Sequence, residues 1–260
     1  MADTMLASFA KQGYKNVSQM RMVMRQAFEY AFDNDYIHKN PFQKATAPRT
    51  RHRKAIALTE QQRTLLLELA QVEAGMPLRP LWHLESRLAF RRGETLGLMW
   101  SDIDWKNRTI TIQRQRTTVD TRTITKDAPK SDKDGSKVRT VPVYADILEL
   151  LKELRVDQMK RQIADLDWID TGFVFVGAHG QPPAAGRVNK RLTELVKRSG
   201  GALPLDLRPH DLRHTALTLL ALSGVPANAR KALSGHSTAR MDELYSSHAA
   251  LEDVRRAIGV

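Results

Sequence analysis

The spacing of apolar residues along the chain predicts mostly helices. An early helix is expected at 17–34, where Val17, Met24 and Ala31 recur at helical spacing. The segment 59–62, Thr-Glu-Gln-Gln, has the capping-box pattern in front of an apolar run and predicts another helix start. Further helices are expected at about 79–90, 94–99, 145–166, 186–198, 210–223, 226–233, 238–246 and 249–257.

Strand-like alternation is confined to the middle of the chain. It occurs in 108–114, 121–125 and 138–143, and the polar stretch 126–137, which contains Asp-Gly, predicts a hairpin loop between the last two strands. The expected fold class is therefore α+β, mainly helical, with a small antiparallel β-sheet.

Composition narrows the class of protein. The 260 residues include 41 Lys and Arg against 29 Asp and Glu, a net charge of +12, and 42% are hydrophobic, which is enough for a packed core. The absence of cysteine excludes disulfides, thiolate zinc sites and a cysteine nucleophile. No signal peptide or apolar run long enough to span a bilayer is evident, so a cytoplasmic protein without membrane contact is expected. The charge favours a nucleic-acid partner; a generally basic surface is the alternative.

The positive charge is concentrated near the N-terminus. Residues 1–56 hold ten basic and four acidic side chains, a surplus of six, or half of the total. The segment 44–56 has no apolar periodicity, which predicts an exposed basic linker that follows DNA phosphates or, alternatively, a simple solvated connector. Its candidate DNA-binding residues are Arg49, Arg51, Arg53 and Lys54.

Several residues in the remainder suggest phosphoryl-transfer chemistry only when taken together. In chain order these are an Arg near a Gly, a Lys in a polar hairpin, His-x-x-Arg, Gly-His and a Tyr nine residues later. Such a set can supply cations that bind a phosphate, groups that carry protons, and a nucleophile. His210 and His214 have a spacing compatible with metal, but no Glu stands beside the first His and no third ligand is apparent. We therefore expect neither a metal site nor a cofactor.

In order and spacing these boxes resemble the tyrosine recombinase (phage integrase) family. The resemblance rests on LAFRRGETLGLMWSDIDW at 88–105, APKSD at 128–132 with VRTVPV at 138–143, PHDLRHTALTLL at 209–220 and LSGHSTARMDELYSSH at 233–248. It implies an integrase-type catalytic domain and assigns the catalytic residues Arg91, Lys130, His210, Arg213, His236 and Tyr245, with Glu94 in support.

Two features depart from the family pattern. Ala89 stands where the family usually has Gly, two residues before Arg91. The polar hairpin is longer than usual, so the catalytic lysine could instead be Lys126, Lys133 or Lys137. Lys130 is preferred because Pro-Lys-Ser-Asp best matches the local pattern.

The resemblance also implies a function and a domain order. It predicts a metal- and ATP-independent site-specific recombinase that integrates or excises a mobile element through a 3′-phosphotyrosyl intermediate. Residues 1–43 are expected to be part of a helical core-binding domain, 44–56 the linker and 57–260 the catalytic domain. Expected partners are double-stranded DNA, three further copies in a homotetramer, and accessory bending or directionality factors, at a nucleoid location.

Alternative functions share parts of this sequence pattern. A DNA-binding regulator without chemistry is one, because 210–235 resembles a helix–turn–helix. A type IB topoisomerase-like relaxing enzyme is another, since it shares the chemistry. A remnant with an intact catalytic set but too few phosphate contacts for activity is the third.

Overall fold

The chain folds into two compact units, Met1–Lys54 and Ala55–Val260. The computed structural model describes residues 2–14, 16–48, 53–72, 77–119, 122–127, 138–235, 255–256 and 259.

The first unit is built on two helices, α1 (Ala2–Lys11) and α2 (Val17–Asp33). The predicted helix at 17–34 is thus confirmed, whereas α1 was not predicted. Its small core is formed by Ala2, Leu6, Val17, Phe42 and Ala45.

The segment 44–56 was expected to be an exposed linker, but its first residues contact the rest of the first unit. Ala45 is buried, its carbonyl oxygen accepts a hydrogen bond from Arg21, and the backbone N–H of Thr46 donates to Asp3. Residues 45–46 are therefore held by the first unit, because the small apolar side chain of Ala45 fits its core and Thr46 is hydrogen-bonded to Asp3. Of the candidate DNA contacts, Lys54 is exposed and Arg53 half-buried, while Arg49 and Arg51 lie outside the described residues.

The second unit contains seven α-helices in its described part, together with two short 3₁₀ helices, Ala70–Val72 and Trp100–Asp102. The capping box expected at its start is confirmed: Thr59 and Gln62 exchange backbone-to-side-chain hydrogen bonds. The helices are α3 (Glu60–Leu69), α4 (Arg79–Arg87), α5 (Arg92–Leu96), α6 (Ala145–Ala164), α7 (Ala185–Arg198), α8 (Pro209–Leu222) and α9 (Ala227–Ser234). The expected helix at 238–246 and most of that at 249–257 lie outside the described residues.

Five short strands form two antiparallel sheets within the described residues. The strands are β1 (Ile103–Asp104), β2 (Thr109–Ile112), β3 (Arg114–Val119), β4 (Arg122–Asp127) and β5 (Arg139–Pro142). One sheet has the order β1-β2-β5, with Ile110 opposite Val141, and the other pairs β3 with β4.

This strand pairing corrects the predicted hairpin. Strand β4 pairs with β3, not with β5, so the polar stretch 128–137 connects two different sheets rather than two paired strands. The sequence did not reveal β3 because Arg-Gln-Arg-Thr-Thr-Val has one apolar residue and hence no alternation.

One continuous hydrophobic core supports the second unit. Trp82 and Leu84 of α4, Ile110 of β2 and Leu212 of α8 are fully buried in it. The predicted fold class, mainly helical with small antiparallel sheets, is confirmed. In the part of the chain that the structure describes, no helix is long and apolar enough to cross a membrane.

Candidate active site

The first box folds into a tight turn between α4 and α5. The backbone N–H of Arg91 donates to Oε2 of Glu94 at 2.8 Å, and Nη1 of Arg91 donates to Oε1 at 2.7 Å. Since this carboxylate caps the helix, α5 begins at Arg92, two residues before the predicted start at 94. The buried Glu94 thereby fixes both the backbone and the side chain of Arg91.

Glycines in the same box allow α5 to pack directly on strand β3. A Cβ atom at Gly93 would lie 2.8 Å from the carbonyl oxygen of Arg116, and one at Gly97 would lie 3.1 Å from that of Arg114. The small residue in Arg-x-Gly-acid is thus required by the approach of a neighbouring backbone.

The Glu94 carboxylate has a second arginine partner, Arg139, which is the first residue of β5. Nη1 and Nη2 of Arg139 donate to the two carboxylate oxygens at 2.9 and 2.7 Å. Burial would raise the pKa of Glu94, but the hydrogen bonds and charge of Arg139, together with hydrogen bonds from Arg91, lower that pKa to about 2. Glu94 is therefore ionised at neutral pH.

Helix α8 presents the third arginine, Arg213. The N-terminus of α8 is held by Asp211, whose carboxylate accepts the backbone N–H groups of Arg208 at 2.8 Å and Ile56 at 3.2 Å. The Arg213 side chain is 2% exposed. Burial, and then the charge of Arg91, lower the pKa of Arg213 to about 9, so it remains protonated at neutral pH.

The three arginines meet at the C-terminal end of α9, where helix carbonyls lack helical partners. Nε of Arg139 donates to the carbonyl oxygen of Leu233 at 3.1 Å, and Nη2 of Arg213 donates to that of Ser234 at 2.6 Å. A longer contact of 3.4 Å joins Nη2 of Arg91 to the carbonyl oxygen of Gly235. Consecutive carbonyls at 233–235 thus each bind a different arginine.

Ala89 contributes to the cluster through its backbone. Its φ is 56°, in the left-handed region, and its carbonyl oxygen accepts a hydrogen bond from Nη1 of Arg213 at 2.5 Å. Glycine adopts this conformation without a steric cost, which gives a physical reason for the glycine that the family resemblance expects here.

The conformation of Ala89 leads to a stability prediction. Ala89→Val should lower the free energy of unfolding by at least about 2 kcal/mol, because a branched side chain is strained at this φ and overpacks a fully buried position. Ala89→Gly should change it by no more than about 1 kcal/mol. Urea unfolding measures both, and a valine variant as stable as the parent would contradict the assigned backbone.

The structure brings together three of the sequence-predicted residues, Arg91, Glu94 and Arg213. His210 lies on the first turn of α8, three residues before Arg213, and is exposed. Lys126 lies in β4 opposite Gln115. The remaining predicted residues, Lys130, His236 and Tyr245, and the alternatives Lys133 and Lys137, lie outside the described residues.

Arg139 is the residue of the cluster that sequence reasoning missed. It lies within the segment VRTVPV that carries part of the family resemblance, and an arginine at the start of a strand with a buried end, Arg-Thr-Val-Pro, was a possible signal. Its partners are 45 and 94 residues away in sequence, so no local pattern could identify them.

The cluster is suited to bind an oxyanion. The cluster holds three guanidinium groups and one carboxylate, Glu94, which pairs with Arg91 and Arg139. Arg91 is the most exposed of the three arginines, with 34% of its side chain accessible. The surplus positive charge of the cluster and the donors of the accessible Arg91 match the non-bridging oxygens of a phosphodiester. Among the described residues, no group of three His, Asp or Glu side chains could hold a metal ion.

Comparison with known proteins agrees with this arrangement. The Phage integrase family profile matches residues 56–252. The chain is 28% identical to the XerC-like tyrosine recombinase of Caldanaerobacter subterraneus subsp. tengcongensis, over 86% of this chain and 59% of that protein. It is 26% identical to the transposase of transposon Tn916 from Enterococcus faecalis, over 92% of this chain and 60% of that protein. The chain thus spans about 60% of the length of these two relatives.

Solved structures share the fold. The Tn1549 transposon integrase in complex with transposon right end DNA superposes with a TM-score of 0.75 at 24% identity, covering 99% of this chain and 83% of that one. Lambda integrase bound to DNA gives a TM-score of 0.61 at 18% identity, covering 98% and 80%. With the matched family profile and the arginine-rich turn in its first box, the chain belongs to the phage integrase family.

Proposed function

We propose that the chain is a site-specific DNA recombinase that cleaves and rejoins strands through a 3′-phosphotyrosyl intermediate. The observation that carries the proposal is the meeting of Arg91, Arg139 and Arg213 at the C-terminal end of α9, where Arg91 and Arg139 also share the Glu94 carboxylate. Family membership supports it, as do relatives named as a tyrosine recombinase and a transposase. Integrases with the same fold have been solved with DNA.

The arginines would stabilise the charge that develops on the phosphate. Arg91 approaches from the accessible side of the cluster and Arg213 from the buried side, each directed at a non-bridging oxygen, and His236 adds a hydrogen bond. Fixed donors of this kind, in a site shielded from water, typically contribute several kcal/mol to transition-state stabilisation.

The chemical step exchanges one phosphoester for another. The Tyr245 oxygen bonds to phosphorus while His210 accepts the phenol proton, and the bond from phosphorus to the 5′ oxygen breaks. Lys130 protonates this departing oxygen, with Lys126, Lys133 and Lys137 as the alternatives. Attack by a 5′-hydroxyl of a partner duplex then reverses these steps, so that the phosphodiester energy is conserved without ATP, metal or cofactor.

The domain order and partners complete the proposal. Residues 1–43 act as part of a core-binding domain, 44–56 as the linker, of which residues 45–46 are held by the first unit, and 57–260 as the catalytic domain. Together they bind double-stranded DNA at recombination sites, in a homotetramer assisted by bending or directionality factors at the nucleoid. The basic Lys54 and the other candidate linker residues Arg49, Arg51 and Arg53 contribute phosphate contacts.

A nicked suicide substrate tests the proposed chemistry. Duplexes built from the DNA that flanks the gene are incubated with the chain in EDTA, and covalent adducts are separated on denaturing gels. We expect an adduct with the parent chain and none with Tyr245→Phe, which keeps the ring and removes the nucleophile.

The other outcomes separate the rival functions. DNA binding without an adduct, unchanged in Tyr245→Phe, would indicate a regulator or an inactive remnant. Relaxation of supercoiled DNA by a monomer without site preference would indicate a topoisomerase-like enzyme. An adduct that requires added metal would overturn the mechanism.

A further inference from the structure

The guanidinium group of Arg139 is bonded to protein through each of its nitrogens. Its Nη1 and Nη2 bind the two oxygens of Glu94, and its Nε binds the carbonyl oxygen of Leu233. Its side chain is 11% exposed, compared with 34% for that of Arg91. All three nitrogens of the guanidinium group therefore have protein partners.

We infer that Arg139 is a positioning residue for the proposed strand cleavage: it fixes Glu94 and the C-terminal end of α9, so that Arg91 keeps one orientation. The inference rests on the proposed function. Through Glu94 it acts on Arg91, because the same carboxylate accepts the backbone and side-chain N–H groups of Arg91. Through Leu233 it holds α9 two residues before Gly235.

The glycine that ends α9 is packed against this guanidinium group. Gly235 has a φ of 64°, and a Cβ atom there would lie 2.9 Å from Nη1 of Arg139. Only glycine combines this backbone conformation with so close an approach. The glycine that precedes His236 is therefore explained by Arg139.

Lysine cannot replace this geometry. Arg139 binds two acceptors on different elements, Glu94 on α5 and Leu233 on α9, with a planar fork whose donors have fixed directions. A lysine ammonium has its three donors on one nitrogen, so it cannot span the separated positions that the three nitrogens of Arg139 occupy. Because the donors of Arg139 face protein acceptors, its loss should affect the rate of cleavage and not the affinity for DNA.

The test compares Arg139→Lys with a matched control, Arg92→Lys. Arg92 also makes a bidentate pair with a buried carboxylate, Glu85, and has a similar side-chain exposure of 12%, but it does not contact α9 in the described structure. We expect adduct formation to slow by roughly 100-fold in Arg139→Lys and by less than about 3-fold in Arg92→Lys. The Kd for the suicide duplex should stay within about 2-fold of the parent value in both.

Two further measurements separate positioning from folding and from the proposed function. Added guanidinium should partly restore adduct formation to Arg139→Ala. The Nε–H resonance of Arg91, assigned with Arg91→Lys, should shift in Arg139→Lys but not in Arg92→Lys, whether or not the chain cleaves DNA. A parent chain without an adduct would overturn the proposed function, while an unmoved Arg91 resonance would overturn the role of Arg139.

The remaining outcomes also decide the inference. Equal losses of rate in Arg139→Lys and Arg92→Lys would show a general effect of breaking a buried pair. A loss of DNA affinity proportional to the loss of rate would make Arg139 a phosphate-binding residue. Either result would contradict the positioning role.

Discussion

Arg213→Lys should slow covalent adduct formation by about 100-fold or more, while the chain stays folded. The arginine donates to the carbonyl oxygens of Ala89 and Ser234, and a lysine could not hold both with fixed geometry. The same surroundings that lower the pKa of Arg213 to about 9 would also lower that of a lysine, ordinarily about 10.4, so that part of the population would be neutral. The variant would lose both position and charge.

Single-turnover cleavage of the suicide duplex measures this effect, and a thermal melt verifies folding. Arg208→Lys is the matched control, since Arg208 is an exposed arginine at the start of the same helix. Its rate should equal that of the parent. A folded Arg213→Lys variant with the parent rate would mean that Arg213 does not act on the phosphate.

Glu94→Gln should lower the free energy of unfolding by about 3–5 kcal/mol at neutral pH, the usual effect of removing one partner from a buried ion pair. Glutamine is nearly isosteric, but its amide group would present N–H donors to Arg139 or Arg91 in place of one carboxylate oxygen. The guanidinium groups of Arg91 and Arg139 would then remain close to each other with less negative charge to compensate them. Urea unfolding measures the difference, and Glu149→Gln, at an exposed pair with Lys152, should change it by less than about 1 kcal/mol.

The effect of Glu94 should also depend on pH in a defined direction. The pKa of Glu94 is lowered in the folded chain to about 2 from an ordinary value of 4.5. Its stabilising contribution is therefore complete above about pH 4.5 and is lost as the pH falls toward 2. The difference between parent and Glu94→Gln should shrink over this interval. A constant difference would show that Glu94 is not ionised in the fold.

Local patterns in the sequence predicted much of the fold. The capping box at 59–62 and the apolar spacing of α2 and α8 encode hydrogen bonds and packing within a few residues, and these elements were found where expected. Strand β3 was missed because its side chains carry no apolar alternation. The pairing of β5 with β2 was also missed, since it joins segments separated by the whole hairpin.

The residues of the candidate site also fall into those that the sequence predicted and those that it did not. Arg91, Glu94 and Arg213 could be identified because short motifs carry them, and the structure brings them together. Arg139 and the left-handed turn at Ala89 could not, because their importance arises from partners that approach from distant elements. Catalytic residues that lie in short motifs can therefore be recognised in the sequence. The residues that orient them cannot, because their contacts depend on the fold.

The central claim is that a tyrosine becomes joined to DNA. The adduct formed on the suicide duplex can be digested with nuclease and protease, and tandem mass spectrometry then identifies the residue that retains the nucleotide. We predict a 3′-phosphoryl nucleotide on Tyr245. Attachment to the adjacent hydroxyls of Ser246 or Ser247, or to any other residue, would contradict the account.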